Sequence, residues 1–361
     1  MKSKSICLII PSLTAGGMER VMSEIANFLA NDKNITVNLI LTSKNTIFYN
    51  LSNEIRVYNL KDDKNLIKKL YWLRKLIIEI KPYSVLSFGS MYNSFVMLAL
   101  YGIKTKIYLS DRSNPFRNTI LKFKKGGLER HDGPLHFFLK KYLYRRAEGI
   151  LSQTKMAIKI DEVFLKHNNI IYFPNPIRSI NYRKSIKKEN LILNVGRFVS
   201  TKNQKDLIDI FEEINNSNWK LIFVGDGPMK NEMIAYAETK QTNNHIEFVG
   251  NIVNVDDYYR KAKIFAFTSL SEGFPNVLAE ALMANLSLIS YDCVAGPADL
   301  IEDDFNGYLI PVKQRELYKI KLKSLMRDKT LREKFVLNSQ TVKSRYEKTT
   351  ILNKLKHVLL N

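Results

Sequence analysis

Short apolar runs of strand length alternate along this chain with longer segments of helical period. This alternation is typical of βαβ units. It occurs twice, so each half is predicted to form an α/β domain with a parallel, Rossmann-like sheet. In the first half, strands are predicted at 5–10, 36–42, 84–88, 106–110 and 149–153. In the second half, strands are predicted at 191–195, 219–224, 246–249, 264–268 and 287–291.

Helices are predicted between these strands. In the first half they cover 18–31, 65–80, 91–101 and an aromatic, basic stretch before the last strand; in the second they begin near 202, 229, 255, 276 and 296. A stiff Pro-Asn-Pro turn at 174–176 predicts a domain boundary. We therefore expect domains at 1–175 and 176–340, with a C-terminal helix in 341–361 that packs back toward the first domain.

Cysteine and histidine usage gives no indication of a disulfide framework or a metal site. Cys7 and Cys293 lie far apart, each in an apolar run, which fits a reduced cytoplasmic compartment. The chain has no D-x-D triplet, and its five histidines lack metal-ligand spacing. The apolar start is interrupted by Pro11, so it predicts a first strand and not a signal peptide. No apolar run approaches the roughly 20 residues of a spanning helix.

The net charge is unusual: 56 Lys and Arg against 35 Asp and Glu give +21. Such a surplus indicates an anionic partner, which could be nucleic acid, a membrane or a pyrophosphate-linked substrate. Basic residues interleaved with aromatic ones are concentrated in residues 104–146. That combination suits the head-group region of an anionic leaflet, and a solvated basic surface is the alternative.

Glycine-containing turns follow several predicted strands, at the sheet edge where Rossmann-like domains bind ligands. Gly16 and Gly17 join the first strand to a helix and could approach a phosphate closely, although the pattern is neither G-x-G-x-x-G nor a Walker motif. In the second half, Gly196-Arg197 follows a strand and Lys202 comes five residues after Arg197. Two cations there can neutralise a diphosphate. Further glycine turns follow the next two strands, at 225–228 and 250–252.

The segment 269–282 places two carboxylates, Glu272 and Glu280, eight residues apart around a Gly-Phe-Pro turn that opens a helix. The amides near Asn276 and Val277 would be unpaired donors of a helix N-terminus, suited to a diphosphate. Glu280 could accept hydrogen bonds from ribose hydroxyls, and Glu272 from those of a hexose. A loop glutamate and a solvated helix glutamate are the alternative for an isolated pair of this kind.

These motifs resemble the retaining glycosyltransferases of family 4, which have the GT-B fold of two facing Rossmann-like domains with an interdomain cleft. The resemblance runs through residues 11–20, 196–202, 225–228 and 272–280 to the Asn306-Gly307 turn. Within the family, the sequence looks most like bacterial transferases that extend lipid-linked oligosaccharides, surface polysaccharides or lipopolysaccharide cores.

The resemblance implies roles for the matching residues. Arg197 and Lys202 would hold the donor diphosphate and stabilise the leaving group, and Glu272 would contact the donor sugar. Glu280 would bind the ribose. The remaining donor contacts would come from Gly16, Gly17, Gly225, Asn251, Ile252, Gly273, Phe274, Pro275, Asn276 and Val277.

One position departs from the family pattern. Many members carry a histidine after the fourth strand, near the reacting carbon, where this chain has Asp111-Arg112-Ser113. Arg112 replaces the histidine. Asp111, as the candidate catalytic group, or Ser113 would then supply the hydrogen-bond acceptor near the reacting carbon. An Asp111–Arg112 ion pair that caps a loop is the alternative.

The expected function is metal-independent transfer of a hexosyl or N-acetylhexosaminyl unit to a lipid-pyrophosphate-linked or glycan acceptor. The expected co-substrate is a nucleotide sugar, namely a UDP-sugar, and a different base stays an alternative. No cofactor is expected. The expected location is cytoplasmic and peripheral, on the inner face of the membrane, without nucleic acid as a partner. Two alternatives stay open: a basic nucleic-acid-binding protein, and a GT-B phosphorylase or epimerase that acts on sugar nucleotides.

Overall fold

A computed structural model describes residues 3–43, 47–60, 65–112, 134–178, 180, 186–252 and 254–361. The chain divides into two compact units. The N-terminal unit comprises Met1–Pro176 and Thr349–Asn361, and the C-terminal unit comprises Ile177–Lys348. Each unit contains a parallel sheet with helices.

The N-terminal unit has a seven-stranded parallel sheet with the order β3-β2-β1-β4-β5-β6-β7. Its strands are β1 (Lys4–Ile10), β2 (Ile35–Leu41), β3 (Arg56–Asn59), β4 (Ser84–Phe88), β5 (Lys106–Ser110), β6 (Gly149–Ser152) and β7 (Ile170–Tyr172). The buried strands read as continuous apolar runs because helices cover a parallel sheet on both faces. The chain order reverses between β1 and β4, which is where ligands bind in such folds.

Six α-helices belong to this unit among the described residues, and the first five lie between or after its strands. These five are α1 (Gly17–Ala30), α2 (Leu66–Ile80), α3 (Ser90–Ala99), α4 (Pro134–Tyr144) and α5 (Lys155–Leu165). Side-chain caps define two of their starts. Asn65 accepts from the Ile67 amide at 2.9 Å before α2, and Thr154 accepts from the Ala157 amide at 3.0 Å before α5.

The C-terminal unit has a six-stranded parallel sheet with the order β10-β9-β8-β11-β12-β13. Its strands are β8 (Leu191–Val195), β9 (Lys220–Val224), β10 (Ile246–Gly250), β11 (Ile264–Phe267), β12 (Ser287–Asp292) and β13 (Gly307–Pro311). This is the 3-2-1-4-5-6 order of a Rossmann sheet, with its reversal between β8 and β11.

The helices of this unit pack apolar faces against the sheet. They are α6 (Gln204–Ile214), α7 (Lys230–Glu238), α8 (Asp256–Lys261), α9 (Asn276–Met283), α10 (Pro297–Leu300), α11 (Arg315–Arg327) and α12 (Lys329–Lys343). In α6, Leu207, Ile208 and Phe211 are buried at helical spacing in the core of the unit. Burial of each such side chain contributes about 1.5–3 kcal/mol.

The last helix, α13 (Lys348–Leu360), closes the chain within the N-terminal unit. The Ser84 hydroxyl donates to the Leu359 carbonyl at 2.8 Å, and the Lys356 ammonium pairs with Asp32 at 2.5 Å. The helix thus covers the amino end of β4. In the described part of the chain, no helix has both the length and the apolar character that a membrane span requires.

The predicted α/β class is confirmed, and each predicted strand is present with ends that differ by no more than one residue. Three strands were not predicted: β3, β7 and β13. Each is the last strand at one edge of its sheet. β3 and β7 are short and at least partly exposed, which weakens the apolar signal of a strand. β13 is mostly buried and apolar, and its run was not recognised as a strand.

Candidate functional site

Three glycine turns are joined by backbone hydrogen bonds at the carboxyl edge of the C-terminal sheet. The Gly196 amide donates to Val224 O at 2.9 Å, and the Gly225 amide donates to Gly250 O at 2.9 Å. Gly225 has a φ of +140°, and a Cβ built on it would lie 2.1 Å from the Gly196 carbonyl oxygen. Only glycine fits this close approach. The glycine at position 225 is therefore what allows the turns after β8 and β9 to pack together.

These turns line a cleft of about 650 Å³. Its lining residues are Val195, Gly196, Arg197, Val224, Gly225, Asp226, Gly227, Asn251, Ile252 and Val255. The structure therefore brings together four predicted residues: Arg197, Gly225, Asn251 and Ile252. Arg197 is exposed, and within the described ranges its guanidinium has no ion-pair partner. An unpaired guanidinium beside glycine backbone is suited to a phosphate group.

Lys202 lies on a short loop that the end of β11 holds in place. The Thr268 hydroxyl donates to Asn203 O at 3.0 Å, and the Leu270 amide donates to Thr201 O at 2.7 Å. The Lys202 ammonium forms an ion pair with Glu272. The two predicted catalytic residues are thus direct neighbours, although they do not line the cleft of the glycine turns.

The turn from Glu272 to Asn276 opens α9 as predicted. Phe274 and Pro275 are buried, whereas Gly273 is partly exposed. One expectation needs correction. The Asn276 amide donates to Phe274 O at 3.0 Å, so it is not an unpaired donor of the helix N-terminus. The Val277 amide has no acceptor among the described residues, and it stays a candidate for a phosphate contact.

Glu280 is buried, and both of its carboxylate oxygens have protein partners. Arg178 Nε lies 3.2 Å from Glu280 Oε1, and the Tyr259 hydroxyl donates to Glu280 Oε2 at 3.2 Å. Arg178 also pairs with Asp256 at 2.5 Å. Burial alone would lower the pKa of Arg178, but the Glu280 and Asp256 carboxylates raise it above its ordinary value. The Glu280 carboxylate is therefore held in place by Arg178 and Tyr259.

Sequence reasoning missed Arg178, Asp256 and Tyr259. Arg178 follows the Pro-Asn-Pro turn, which was interpreted only as a domain boundary. Asp256 and Tyr259 lie on the short helix α8, three residues apart and hence on one face. A carboxylate and a tyrosine at that spacing are the only local signal, and that signal does not point to Glu280.

In the N-terminal unit, Gly16 and Gly17 lie where predicted, at the start of α1 after β1. Tyr49 fixes this turn, since its hydroxyl donates to Gly16 O at 2.7 Å and accepts from the Gly16 amide at 3.0 Å. The Gly16 amide thus already donates to a protein acceptor, the Tyr49 hydroxyl. A contact of either glycine with donor phosphates stays a prediction.

Asp111 lies at the carboxyl end of β5 in a polar cluster. It pairs with the buried Lys140 and accepts from the Tyr144 hydroxyl at 2.6 Å and the Asn93 amide at 3.0 Å. Burial alone would raise the pKa of Asp111, but Lys140, Tyr144 and Asn93 hold it below its ordinary value. Asp111 therefore fixes α3 and α4 against β5. A role at the reacting carbon stays a prediction.

Arg112 adopts a φ of +56°, and within the described residues it does not form the alternative ion pair with Asp111. The guanidinium lies between the Phe88 and Phe173 rings, 4.4 and 4.6 Å from their centroids, and donates to Asn175 Oδ1 at 2.6 Å. Burial lowers its pKa to about 9. Ser113 lies outside the described residues, as does much of the basic, aromatic segment 104–146.

The described residues contain no group of three or more His, Cys, Asp or Glu side chains that could hold a metal ion. Cys7 and Cys293 are both buried and free of disulfide bonds. Burial raises the pKa of each thiol to about 12, so neither is a thiolate at neutral pH.

Known proteins that are similar to this chain are glycosyltransferases. Residues 178–342 match the family described as glycosyl transferases group 1. The chain is 27% identical over 370 residues to the amylovoran biosynthesis glycosyltransferase AmsD of Erwinia amylovora, which covers 99% of both chains. It is also 27% identical over 348 residues to an alpha-1,4-N-acetyl-D-galactosaminyltransferase of Campylobacter jejuni named for a PP-undecaprenol-linked oligosaccharide, covering 93% of this chain and 92% of the relative.

Solved structures support the same fold. The crystal structure of a variant of S. aureus TarM with Fondaparinux, alpha-GlcNAc-glycerol and UDP aligns with a TM-score of 0.78 at 15% identity. The alignment covers 99% of this chain and 100% of that one. With its two parallel-sheet units, the chain has the GT-B fold, as predicted, and the comparisons together support a bacterial glycosyltransferase.

Proposed function

We propose that this protein is a retaining glycosyltransferase of family 4 that moves a hexosyl or N-acetylhexosaminyl unit from a UDP-sugar to a lipid-linked or polysaccharide-precursor acceptor. The observation that carries the proposal is Arg197, an unpaired cation within the described residues, beside three glycine turns at the reversal of strand order. The UDP in the TarM complex and the undecaprenol-linked acceptor in the name of the C. jejuni relative support the donor and acceptor classes.

In this proposal, the cleft of the glycine turns receives the nucleotide. Gly225, Asn251 and Ile252 flank the base, and Glu280 accepts hydrogen bonds from the ribose hydroxyls. Arg178 and Tyr259 hold the Glu280 carboxylate in place for that purpose. A carboxylate fixed in this way loses little further freedom when the ribose binds, which favours affinity.

The diphosphate lies between Arg197 and Lys202. As the bond between the anomeric carbon and the phosphate oxygen breaks, negative charge develops on the leaving phosphate, and both cations stabilise it. The acceptor oxygen forms its bond to the anomeric carbon on the same face of the sugar, and its proton passes to the departing phosphate. Glu272 positions the Lys202 ammonium through their ion pair and contacts the donor sugar. No step requires a metal ion.

The N-terminal unit receives the acceptor at an anionic membrane surface. On α2, Leu66, Ile67 and Tyr71 are exposed apolar side chains, with Lys75 exposed on the same helix. On α4, Phe138 and Tyr142 are exposed near Lys141. Exposed apolar and basic groups on amphipathic helices suit insertion at the level of anionic head groups. We therefore place the enzyme on the inner face of the cytoplasmic membrane.

Turnover measurements test the donor assignment. Arg197→Ala and Lys202→Ala should each reduce turnover about 100-fold or more, because each removes a charge that acts on the leaving group. Arg327→Ala is the matched control, since Arg327 is an exposed arginine at the end of α11. Full activity in both site variants would overturn the assignment. NMR of the product tests retention: the anomeric configuration of the donor should be kept.

RNA retention and product analysis separate glycosyl transfer from the two alternative functions. The comparisons favour glycosyl transfer over nucleic-acid binding, for which steeply salt-dependent RNA retention without a response to UDP would be expected. A phosphorylase or epimerase would release a sugar phosphate or an isomerised nucleotide sugar. A transferase yields UDP and a glycosylated acceptor.

A further inference from the structure

A second cleft, of about 590 Å³, lies in the C-terminal unit at the edge of the sheet opposite the glycine turns. Lys188 precedes β8, Lys263 directly precedes β11, and Ser287 opens β12. These are amino ends of parallel strands, whereas the glycine turns follow carboxyl ends. Helix α12 forms the other wall and contributes Lys329 and Arg332.

The positive charge of this cleft is not balanced by protein carboxylates. Four cations line it, and the one lining carboxylate is Glu333, which lies 3.6 Å from Lys329. Lys188, Lys263 and Arg332 form no ion pair with the residues that the structure describes. Glu333 and Asp328 act on Arg332 only at longer range. By contrast, Arg178 and Lys202 of the same unit pair with carboxylates.

The hydrogen-bond partners of these cations are neutral. Lys188 donates to Ala262 O at 2.9 Å and Asn285 O at 3.0 Å, and Lys263 donates to Asn190 Oδ1 at 2.7 Å. Arg332 donates to carbonyl oxygens that include Met326 O at 3.2 Å. Capping of helix and strand ends accounts for Lys188 and Arg332. It does not account for Lys263, whose ammonium has one protein acceptor, and the 79% exposed side chain of Lys329 is accessible to a ligand.

The cations also disfavour one another. Burial, followed by the charges of Lys343 and Lys263, lowers the pKa of Lys188 to about 8. Burial, followed by Arg332, Lys329 and Lys187, lowers the pKa of Lys263. A bound anion would relieve this repulsion and would accept hydrogen bonds from the donors that have no protein acceptor. The grouping of four cations around one cleft therefore favours an anionic ligand there.

We propose that this cleft, with Lys188, Lys263, Lys329 and Arg332, is a binding site for a small, multiply charged phosphate compound. The volume is within the range of small-molecule sites, about 300–1,000 Å³. Its concave form distinguishes it from a flat basic patch, which would suit a membrane or a nucleic acid. The site is separate from the one proposed for the nucleotide sugar, since the two lie at opposite edges of one sheet.

Calorimetric titration of the full chain with inorganic pyrophosphate tests the proposal. The titrations use the Arg197→Ala background, so that the contribution of the proposed donor site is reduced. Lys263→Gln with Lys329→Gln should weaken binding about tenfold or more, because two charge-assisted contacts are lost. Lys334→Gln, an exposed lysine on the same helix, is the matched control and should change the affinity less than twofold.

Several outcomes would overturn the proposal. One is equal affinity for pyrophosphate in the double variant and its control. Another is the absence of saturable pyrophosphate binding in the Arg197→Ala background, whether or not the parent chain binds pyrophosphate. Pelleting with phosphatidylglycerol vesicles that depends on Lys263 and Lys329, without pyrophosphate binding, would show a membrane contact instead. Lys329→Gln alone, at an exposed position, keeps the test valid should the double variant fold poorly.

Discussion

Gly225 shows how a single residue shapes the cleft of the glycine turns. Its backbone lies so close to Gly196 that an added Cβ would lie 2.1 Å from a carbonyl oxygen, at a φ of +140°. We expect Gly225→Ala to lower the free energy of unfolding by about 3 kcal/mol or more, since strain and a backbone clash combine.

Gly102 provides the matched control for this prediction. It also has a positive φ, +78°, but a Cβ there would meet nothing within 4 Å. Gly102→Ala should therefore cost only about 1 kcal/mol from backbone conformation. Urea unfolding of both variants measures the difference, and equal losses would show that the close approach to Gly196 is not what constrains the turn.

Glu280 is the residue whose partners define the proposed ribose contact. Glu280→Gln keeps the side-chain shape but removes its charge, and Arg178 retains Asp256 as a partner. We expect UDP affinity, measured by calorimetry, to fall about tenfold, because charge-assisted hydrogen bonds to the ribose become neutral ones. Glu247→Gln, an exposed carboxylate on β10, should leave it unchanged. An unaffected Kd in Glu280→Gln would remove Glu280 from the donor site.

At the scale of elements, α5 carries a carboxyl group with an unusual pH dependence. Burial, only partly offset by Lys140, raises the pKa of Asp161 to about 6, and the Ser152 hydroxyl donates to it at 2.6 Å. Its protonated form is thus favoured in the folded state. This stabilising contribution is complete below the unfolded pKa of about 3.8 and is lost as the pH rises through about 6.

Asp161→Asn should remove this dependence. The amide oxygen can still accept from Ser152, and no charge is buried at pH 8. We expect the variant to be more stable than the parent at pH 8 by up to about 3 kcal/mol, with the advantage disappearing near pH 4. Thermal unfolding across this pH range measures it. A variant less stable than the parent at pH 8 would show that the Asp161 carboxylate is stabilised by its neighbours.

The central elements could be predicted from sequence, and the contacts between them could not. Strands such as β1 and β4 are buried on both faces, so their apolar runs are unambiguous. The glycine turns of the C-terminal unit could be predicted because glycine and proline mark positions that need a particular backbone conformation. The ion pair of Arg178 with Glu280 joins residues 102 positions apart, and that of Lys202 with Glu272 joins residues 70 apart. No local pattern encodes such pairings, so only the fold reveals them.

For the whole molecule, the charge of +21 is consistent with an enzyme that works at an anionic surface. Ile67 and Tyr71 on α2 are apolar side chains with exposed fractions of 76% and 61%. We expect Ile67→Asn with Tyr71→Ser to reduce binding to phosphatidylglycerol vesicles about tenfold, since less apolar area enters the head-group region.

Ile320→Asn is the control for membrane binding, because Ile320 on α11 in the C-terminal unit is similarly exposed at 60%. Cosedimentation with vesicles at low and high salt measures both contributions. Binding of the parent should fall as salt rises, and UDP affinity should be the same in all variants. Equal vesicle binding by the α2 variant and the parent would place the membrane contact elsewhere on the protein.

The central claim is that the cleft of the glycine turns, with Arg197 and Lys202, holds the donor's leaving group. The location of bound UDP tests this claim most directly. A crystal structure of the protein with UDP should show the diphosphate within hydrogen-bond distance of Arg197 and Lys202, and the ribose at Glu280. Density for UDP elsewhere on the molecule, or no bound UDP at saturating concentration, would contradict the account.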